Sequence, residues 1–144
     1  MKSYVQELKL SFDPFDASAI SRGFFEGGNR REIRDQIVER AMYSESLISV
    51  SGCLGSGKSS LLAAITQSFG EEAVVVNIAA TLFMSSDQFM DQLVGALQLP
   101  GEFESLEDRA HAVTHLAGQL QMDARSLLIQ VDDAHDLGGE VLKY

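Results

Sequence analysis

Residues 52–59 combine three glycines with a lysine and a serine in an order that could bind a chain of phosphates. The run Gly-Cys-Leu-Gly-Ser-Gly-Lys-Ser fits G-x-x-x-x-G-K-[ST] at every fixed position. Glycine permits dihedral angles and close approaches that a Cβ would prevent, so successive N–H groups can point into one concavity. A helix beginning after the last glycine would direct its free N–H groups and positive dipole end at the same anion. The spacing therefore predicts a P-loop.

Two side chains of this loop have predicted roles of their own. Lys58 would reach the outer phosphates as a point charge, and the Ser59 hydroxyl would be a ligand of Mg²⁺. The backbone amides would surround the phosphates. The predicted nucleotide-binding residues of this stretch are Gly52, Cys53, Leu54, Gly55, Ser56, Gly57, Lys58, Ser59 and Ser60.

A second stretch that could do chemistry is the apolar run 127–131, which ends in Asp132 and Asp133. Such a run is typical of a buried parallel strand, and α/β proteins place their ligands at the carboxyl edge of the sheet. Asp132 would hold Mg²⁺ directly or through water, and Asp133 would orient or deprotonate an attacking water. Gln130 lies within the run and needs a polar partner if it is buried.

Strands and helices alternate around these two stretches. The run 47–50 would lead into the P-loop as a strand, and helical spacing continues over 58–69. A β-branched run predicts a buried strand over 73–78. Two more helices are predicted, one beginning at Ser85 or Ser86 and one over about 105–121. This order predicts an α/β fold with a parallel sheet.

The helix before the P-loop should begin at Asn29 and end near Ser44. Glu32 follows Asn29 by three residues, which is a capping-box pattern, and an apolar face would lie against a sheet. Arginines at 30, 31 and 34 occupy its first turns, where positive charge opposes the helix dipole. One of them could face an anion, but a solvated face is the favoured interpretation.

Two further features, a single cysteine and a pair of histidines, suggest chemistry that we consider secondary. Cys53 is the single cysteine, which excludes an internal disulfide, and its oxidation would place bulk where a phosphate should lie. We favour a position that tolerates many side chains. His111 and His115 are four residues apart and could hold a metal between them, but solvent exposure or packing is the better account because no third ligand accompanies them.

The formal net charge of −10 lies entirely in the second half, where thirteen acidic residues of 61–144 face Arg109, Arg125 and Lys143. Such a surface argues against sequence-independent binding to nucleic acid. No apolar run approaches the roughly 18 residues needed to span a bilayer, and the opening residues are not a secretory signal. We therefore expect a cytoplasmic location, or the cytoplasmic face of the inner membrane for a longer native protein.

With both motifs in view, the chain resembles the AAA-type P-loop ATPases of the general secretion pathway A (ExeA-like) family. It is most similar to the branch found in bacterial SPOR-domain, DamX-like proteins of the cell envelope. The resemblance rests on residues 4–15, with Phe-Asp-Pro-Phe at their end, on residues 24–33, on the P-loop and on residues 127–135.

The resemblance implies one α/β P-loop NTPase domain of the AAA (ASCE) type over residues 1–144, with a parallel sheet flanked by helices. It also implies Mg²⁺-dependent ATP hydrolysis, in which Lys58 and Asp133 are the catalytic residues and Ser59 and Asp132 hold the metal. In such ATPases the lead-in segment, here residues 1–28, contributes to the adenine pocket. The base-pocket candidates carried over are Phe25, Gly27 and Arg30.

The chain departs from that family in two respects. The family usually ends the acidic strand with Asp-Glu, whereas Asp132 is followed by Asp133 here. The shorter side chain holds its carboxylate back, and a displacement of about 1 Å can cost about a hundredfold in rate, so slow turnover is expected. The family also continues with a sensor strand, an arginine finger and a lid, so we expect the N-terminal part of a larger ATPase domain, or a sheet without its middle strand.

Three functions follow from this comparison. The first is an ATPase that serves a bacterial cell-envelope, secretion or cell-division assembly. The second is a non-hydrolysing scaffold switched by bound nucleotide, and the third is a transposition-helper ATPase that targets DNA. The expected partners are a nucleotide, further copies of the full-length protein and envelope or peptidoglycan-associated proteins, with nucleic acid disfavoured by the acidic second half.

Overall fold

The computed structural model describes residues 3–13, 24–44 and 46–141. The chain forms two compact units, Met1–Ser68 and Phe69–Tyr144. None of the helices in these described ranges is long and apolar enough to cross a membrane. The elements are α1 (Ser3–Glu7), α2 (Arg30–Tyr43) and α3 (Lys58–Ser68) in the first unit, followed by β1 (Ala73–Ala79), α4 (Ser86–Ala96), α5 (Leu106–Met122), β2 (Ser126–Asp132) and a 3₁₀ turn (Ala134–Asp136) in the second.

In the first unit, α2 packs against α3. The helix begins where predicted, because the Ile33 N–H donates to the Asn29 carbonyl at 2.9 Å. The predicted capping box is wrong: the Asn29 side chain makes no capping hydrogen bond. Its φ of −95° and ψ of 9° differ from the extended conformation in which an N-cap side chain reaches the first free N–H groups.

The strand predicted over 47–50 is not formed. Residues 46–53 adopt neither helix nor strand, and Leu47 is 88% exposed. A strand is stable only when a neighbour pairs with its N–H and C=O groups. In the part of the chain that the structure describes, the sheet consists of β1 and β2, so the run 47–50 lacks the pairing that its sequence would suit.

The second unit contains the predicted parallel sheet. β1 and β2 pair in register from Ala73 opposite Ser126 to Ala79 opposite Asp132. The core of this unit lies between the sheet and the helices, and its buried residues are Val76, Ile78, Met90 and Leu93. The fold class predicted from sequence, an α/β arrangement with a parallel sheet flanked by helices, is therefore confirmed.

Capping boxes start both helices of the second unit. Ser85 caps α4 together with Gln88, as one of the two predicted positions required, and Ser105 caps α5 together with Asp108. The Arg109 side chain of α5 is largely buried and pairs with Asp87 and Asp91 of α4, at 2.8 Å to Asp87. The caps stabilise the start of each helix, the Arg109 pairs join α5 to α4, and the apolar core holds both helices against the sheet.

The same two helices end in Schellman motifs that have no glycine at the left-handed position. After α5, Ala124 has a φ of +54°, while the Arg125 N–H donates to the Leu120 carbonyl at 2.8 Å. After α4, Gln98 has a φ of +53° and Leu99 donates to Val94 at 3.2 Å. A left-handed conformation strains any residue with a Cβ.

We therefore expect Ala124→Gly to raise the free energy of unfolding by about 1 kcal/mol, because glycine adopts this conformation without the Cβ penalty. Urea unfolding followed by circular dichroism measures the change. Ala112→Gly is the matched control in the interior of α5, where the same substitution should lower stability by about 1 kcal/mol. A loss of stability in both variants would contradict the strain argument.

Candidate functional site

The P-loop residues form a glycine-dependent turn directly before α3. Gly55 and Gly57 have φ values of +75° and +91°, a region that side-chain-bearing residues rarely adopt. The Ser56 N–H donates to the Cys53 carbonyl at 3.1 Å and closes the turn. At Gly52, a Cβ would lie 2.8 Å from the Ser56 hydroxyl, which would have to turn away. The loop is thus shaped by its glycines as the phosphate-binding hypothesis requires.

Lys58, the first residue of α3, bends back over this loop. Its Nζ donates to the carbonyls of Gly52 at 3.0 Å and Cys53 at 3.2 Å. Ser59 is exposed and is the second residue of α3, in the first turn, where backbone N–H groups lack intrahelical acceptors. A cradle of glycines, a lysine across it and a helix N-terminus beside it fit the phosphates of a nucleotide.

Two of the base-pocket candidates, Gly27 and Arg30, each lie beside the third, Phe25, in the first unit. Phe25 is 70% exposed, and the Arg30 guanidinium carbon lies 5.7 Å from the centroid of its ring. A Cβ on Gly27 would lie 2.1 Å from the tip of the same ring, so this position must be glycine for the ring to pack there. The result is an exposed aromatic surface with a cation beside it, which suits stacking by a nucleobase.

The other two arginines of the first turns of α2 have acidic neighbours. Arg34 pairs with Asp35 at 2.8 Å and with Glu26, and these hydrogen bonds, led by Asp35, raise the pKa of the guanidinium above its usual value. Arg31 lies 3.8 Å from Asp35. This is the compensation for the helix dipole that the solvated-face interpretation requires.

The two carboxylates follow β2 at the carboxyl edge of the sheet. Oδ1 of the half-buried Asp132 accepts the Asp133 N–H at 3.0 Å. Asp133 is exposed and left-handed, with φ and ψ of 52° and 38°, a conformation that Asp tolerates better than most residues. Its carbonyl accepts the Asp136 N–H at 2.8 Å. The end of β2 therefore carries two carboxylates. The Asp132 carboxylate accepts a hydrogen bond from the next residue, and the Asp133 carboxylate is open to solvent.

A family model described as an AAA domain matches residues 29–144. The chain belongs to the AAA domain family. The matched region contains both the P-loop and the acidic strand end, and the family supports a P-loop module that binds nucleotide. No curated protein matches the chain, and no solved structure matches it either.

The AAA domain holds its predicted site residues in two groups. The base-pocket candidates and the P-loop with Lys58 and Ser59 belong to the first unit, and Asp132 and Asp133 belong to the second. Within each unit the structure brings neighbouring site residues into contact. That the two groups meet around a magnesium triphosphate, with Ser59 and Asp132 on one metal, stays a prediction.

The secondary candidates of the AAA domain lie in unremarkable surroundings. His111 and His115 are both exposed on α5, and Cys53 is an exposed free thiol. Across the described ranges, no group of three or more His, Cys, Asp and Glu side chains is arranged to hold a metal ion. Gln130 is buried, with 6% exposed, and it interacts with a neighbouring residue, but its Nε2 atom makes no hydrogen bond to the described residues.

One feature of the AAA domain near the acidic strand end was not predicted. The Gly138 N–H donates to the Met84 carbonyl at 3.0 Å, which ties the segment after β2 to the loop after β1. The signal in the sequence was the glycine pair 138–139, since adjacent glycines often mark a close backbone approach. Its partner could not be read from sequence, because the two residues are far apart along the chain.

Proposed function

We propose that this AAA domain binds Mg²⁺-ATP and hydrolyses its β–γ bond by attack of water. The observation that supports this most strongly is the glycine-shaped loop at 52–57 with Lys58 lying across it at the start of α3. Lys58 and the loop amides would stabilise charge on the phosphoryl group. Ser59 and Asp132 would hold Mg²⁺, which neutralises phosphate charge when bound.

Asp133 would position and deprotonate the attacking water. Its carboxylate is exposed beside the strand end, so a water can reach it. The short side chain and the left-handed backbone restrict where that carboxylate can point. We therefore propose slow turnover, because small displacements of a general base reduce the rate strongly.

The base would be adenine, stacked on the ring of Phe25. The open aromatic surface, the packing against Gly27 and the nearby Arg30 support this assignment. Stacking alone accepts any base. The preference for adenine is taken from the resemblance to the ExeA-like ATPases.

For the cellular role, we propose that the domain serves a bacterial cell-envelope, secretion or cell-division assembly from the cytoplasmic side. The support is the resemblance over residues 4–15 and 24–33 to the ExeA-like family and its SPOR-domain branch. The protein would act as a homo-oligomer with envelope partners. The acidic second half makes a DNA-targeting role the weaker candidate.

A second candidate is a scaffold that binds ATP without hydrolysing it. Asp133 favours this function, because its side chain is one methylene shorter than the glutamate that the related ATPases usually have at this position. In that case bound ATP would order a surface for other proteins.

The test is phosphate release and ATP binding by the whole chain, each with Mg²⁺ and with EDTA. We expect binding in the micromolar range or tighter with Mg²⁺, slow phosphate release, and loss of release when EDTA removes the metal. ATP binding without phosphate release would select the scaffold. Absence of any nucleotide affinity would reject both candidates.

A further inference from the structure

We propose that the loop between β1 and α4 positions the Asp133 carboxylate through the backbone contact between Met84 and Gly138. This inference rests on the proposed ATPase function and names Met84 and Gly138 as positioning residues for it. Two attachments join the loop to the acidic segment. The Ala80 N–H donates to the Asp132 carbonyl at 3.0 Å, and the Gly138 N–H donates to the Met84 carbonyl at 3.0 Å.

Met84 is the fixed end of the second attachment. Its side chain is completely buried, at 0% exposed, and its N–H donates to the Thr81 carbonyl at 2.9 Å. It also forms an isolated parallel bridge with Leu137. The residues between, Leu82 and Phe83, form an exposed turn in which Phe83 takes a φ of +59°. A buried anchor and a tight turn give the Met84 carbonyl a defined position.

Asp133 lies between the two attachments in a short, internally bonded turn. The Asp136 N–H donates to the Asp133 carbonyl at 2.8 Å, and the Leu137 N–H donates to the Ala134 carbonyl at 3.3 Å. A left-handed Asp costs conformational free energy and persists only where its surroundings enforce it. Release of the Gly138 end would let Asp133 return to ordinary backbone angles and move its carboxylate.

Gly138 is the residue where this coupling can be tested. A Cβ there would lie 3.0 Å from the Met84 carbonyl oxygen, so the two backbones would have to separate by a few tenths of an ångström. At Gly139 a Cβ would meet nothing within 4 Å. Neither glycine is among those with positive φ, so an alanine acts at both positions through contact and not through strained dihedrals.

The experiment compares Gly138→Ala with the matched control Gly139→Ala in the whole chain. We expect Gly138→Ala to lower kcat for ATP hydrolysis about tenfold, because a sub-ångström displacement reaches the general base. KM should stay within about twofold, since the substitution alters none of the residues proposed to hold the phosphates or the base. Gly139→Ala should leave both constants unchanged. Equal kcat in the two variants, or a rise in KM with kcat unchanged, would overturn the positioning role.

Amide hydrogen exchange supplies a readout that does not depend on activity. In the unaltered chain the Gly138 amide should exchange more slowly than the Gly139 amide, and Gly138→Ala should accelerate exchange at residue 138 and at Asp136. Equal exchange at the two glycines would overturn the contact even if Gly138→Ala failed to fold. If the unaltered chain releases no phosphate, the ATPase proposal fails alone, while slow exchange at Gly138 still shows the attachment.

Discussion

Replacing Lys58 with alanine is expected to weaken ATP binding by about ten- to a hundredfold. A hydrogen bond to a charged group contributes about 1.5–3 kcal/mol, and about 1.4 kcal/mol corresponds to tenfold in affinity. Lys58 now donates to the carbonyls of Gly52 and Cys53, so its amine already lies at the loop that would hold the phosphates. Isothermal titration with Mg²⁺-ATP measures the loss.

AMP separates the loss of a phosphate contact from collapse of the loop. Because Lys58 would reach the outer phosphates, its removal should weaken ATP binding far more than AMP binding. Arg40→Ala is the matched control, because it removes an exposed cation of the same unit that has no assigned role in nucleotide binding. Unchanged ATP affinity in Lys58→Ala, or equal losses for ATP and AMP, would remove the P-loop assignment.

Asp133→Asn is expected to lower kcat about a hundredfold with little change in ATP affinity. A positioned general base contributes roughly a hundred- to ten-thousandfold, and the short side chain places the expectation at the lower end. Asn accepts the left-handed conformation of this position as readily as Asp does, so the variant removes the charge and keeps the turn. Steady-state phosphate release measures the effect.

Two further variants make this test specific. Asp123→Asn alters an exposed carboxylate at the end of α5 and should leave turnover unchanged. Asp133→Glu extends the carboxylate towards the length usual in the related ATPases, but it adds left-handed strain. Faster turnover in Asp133→Glu would support a base that is now too short, whereas full activity in Asp133→Asn would exclude Asp133 as the base.

Local signals in the sequence were sufficient for most elements of the second unit. A β-branched run and an apolar run predicted the two strands, and Ser85 marked the start of α4. Each signal acts within a few residues, through side-chain shape or through a cap that bonds its own helix. The turn of the P-loop was predictable for the same reason, because glycine adopts a positive φ without a Cβ penalty and Gly55 and Gly57 both take one.

Asn29 shows where such local reasoning stops. The residue pattern for a capping box was present, yet the backbone angles at Asn29 direct its side chain away from the free N–H groups. Asn29 is the last residue of a turn over 27–29 in which Gly28 takes a φ of +67°. The residue types fit a capping box, but the path of the chain into the helix prevents the capping hydrogen bond.

The sequence by itself determined which residues could bind phosphate, which carboxylates could serve a metal and a water, and where most helices and strands lie. Tertiary structure alone decided that the run 47–50 stays outside the described sheet, and that Asp133 is held left-handed between two attachments. The reason is physical: strand pairing and the Met84–Gly138 contact join backbone groups far apart along the chain. Every residue except proline carries the same backbone N–H and C=O groups, so the order of side chains does not show which of these groups will pair.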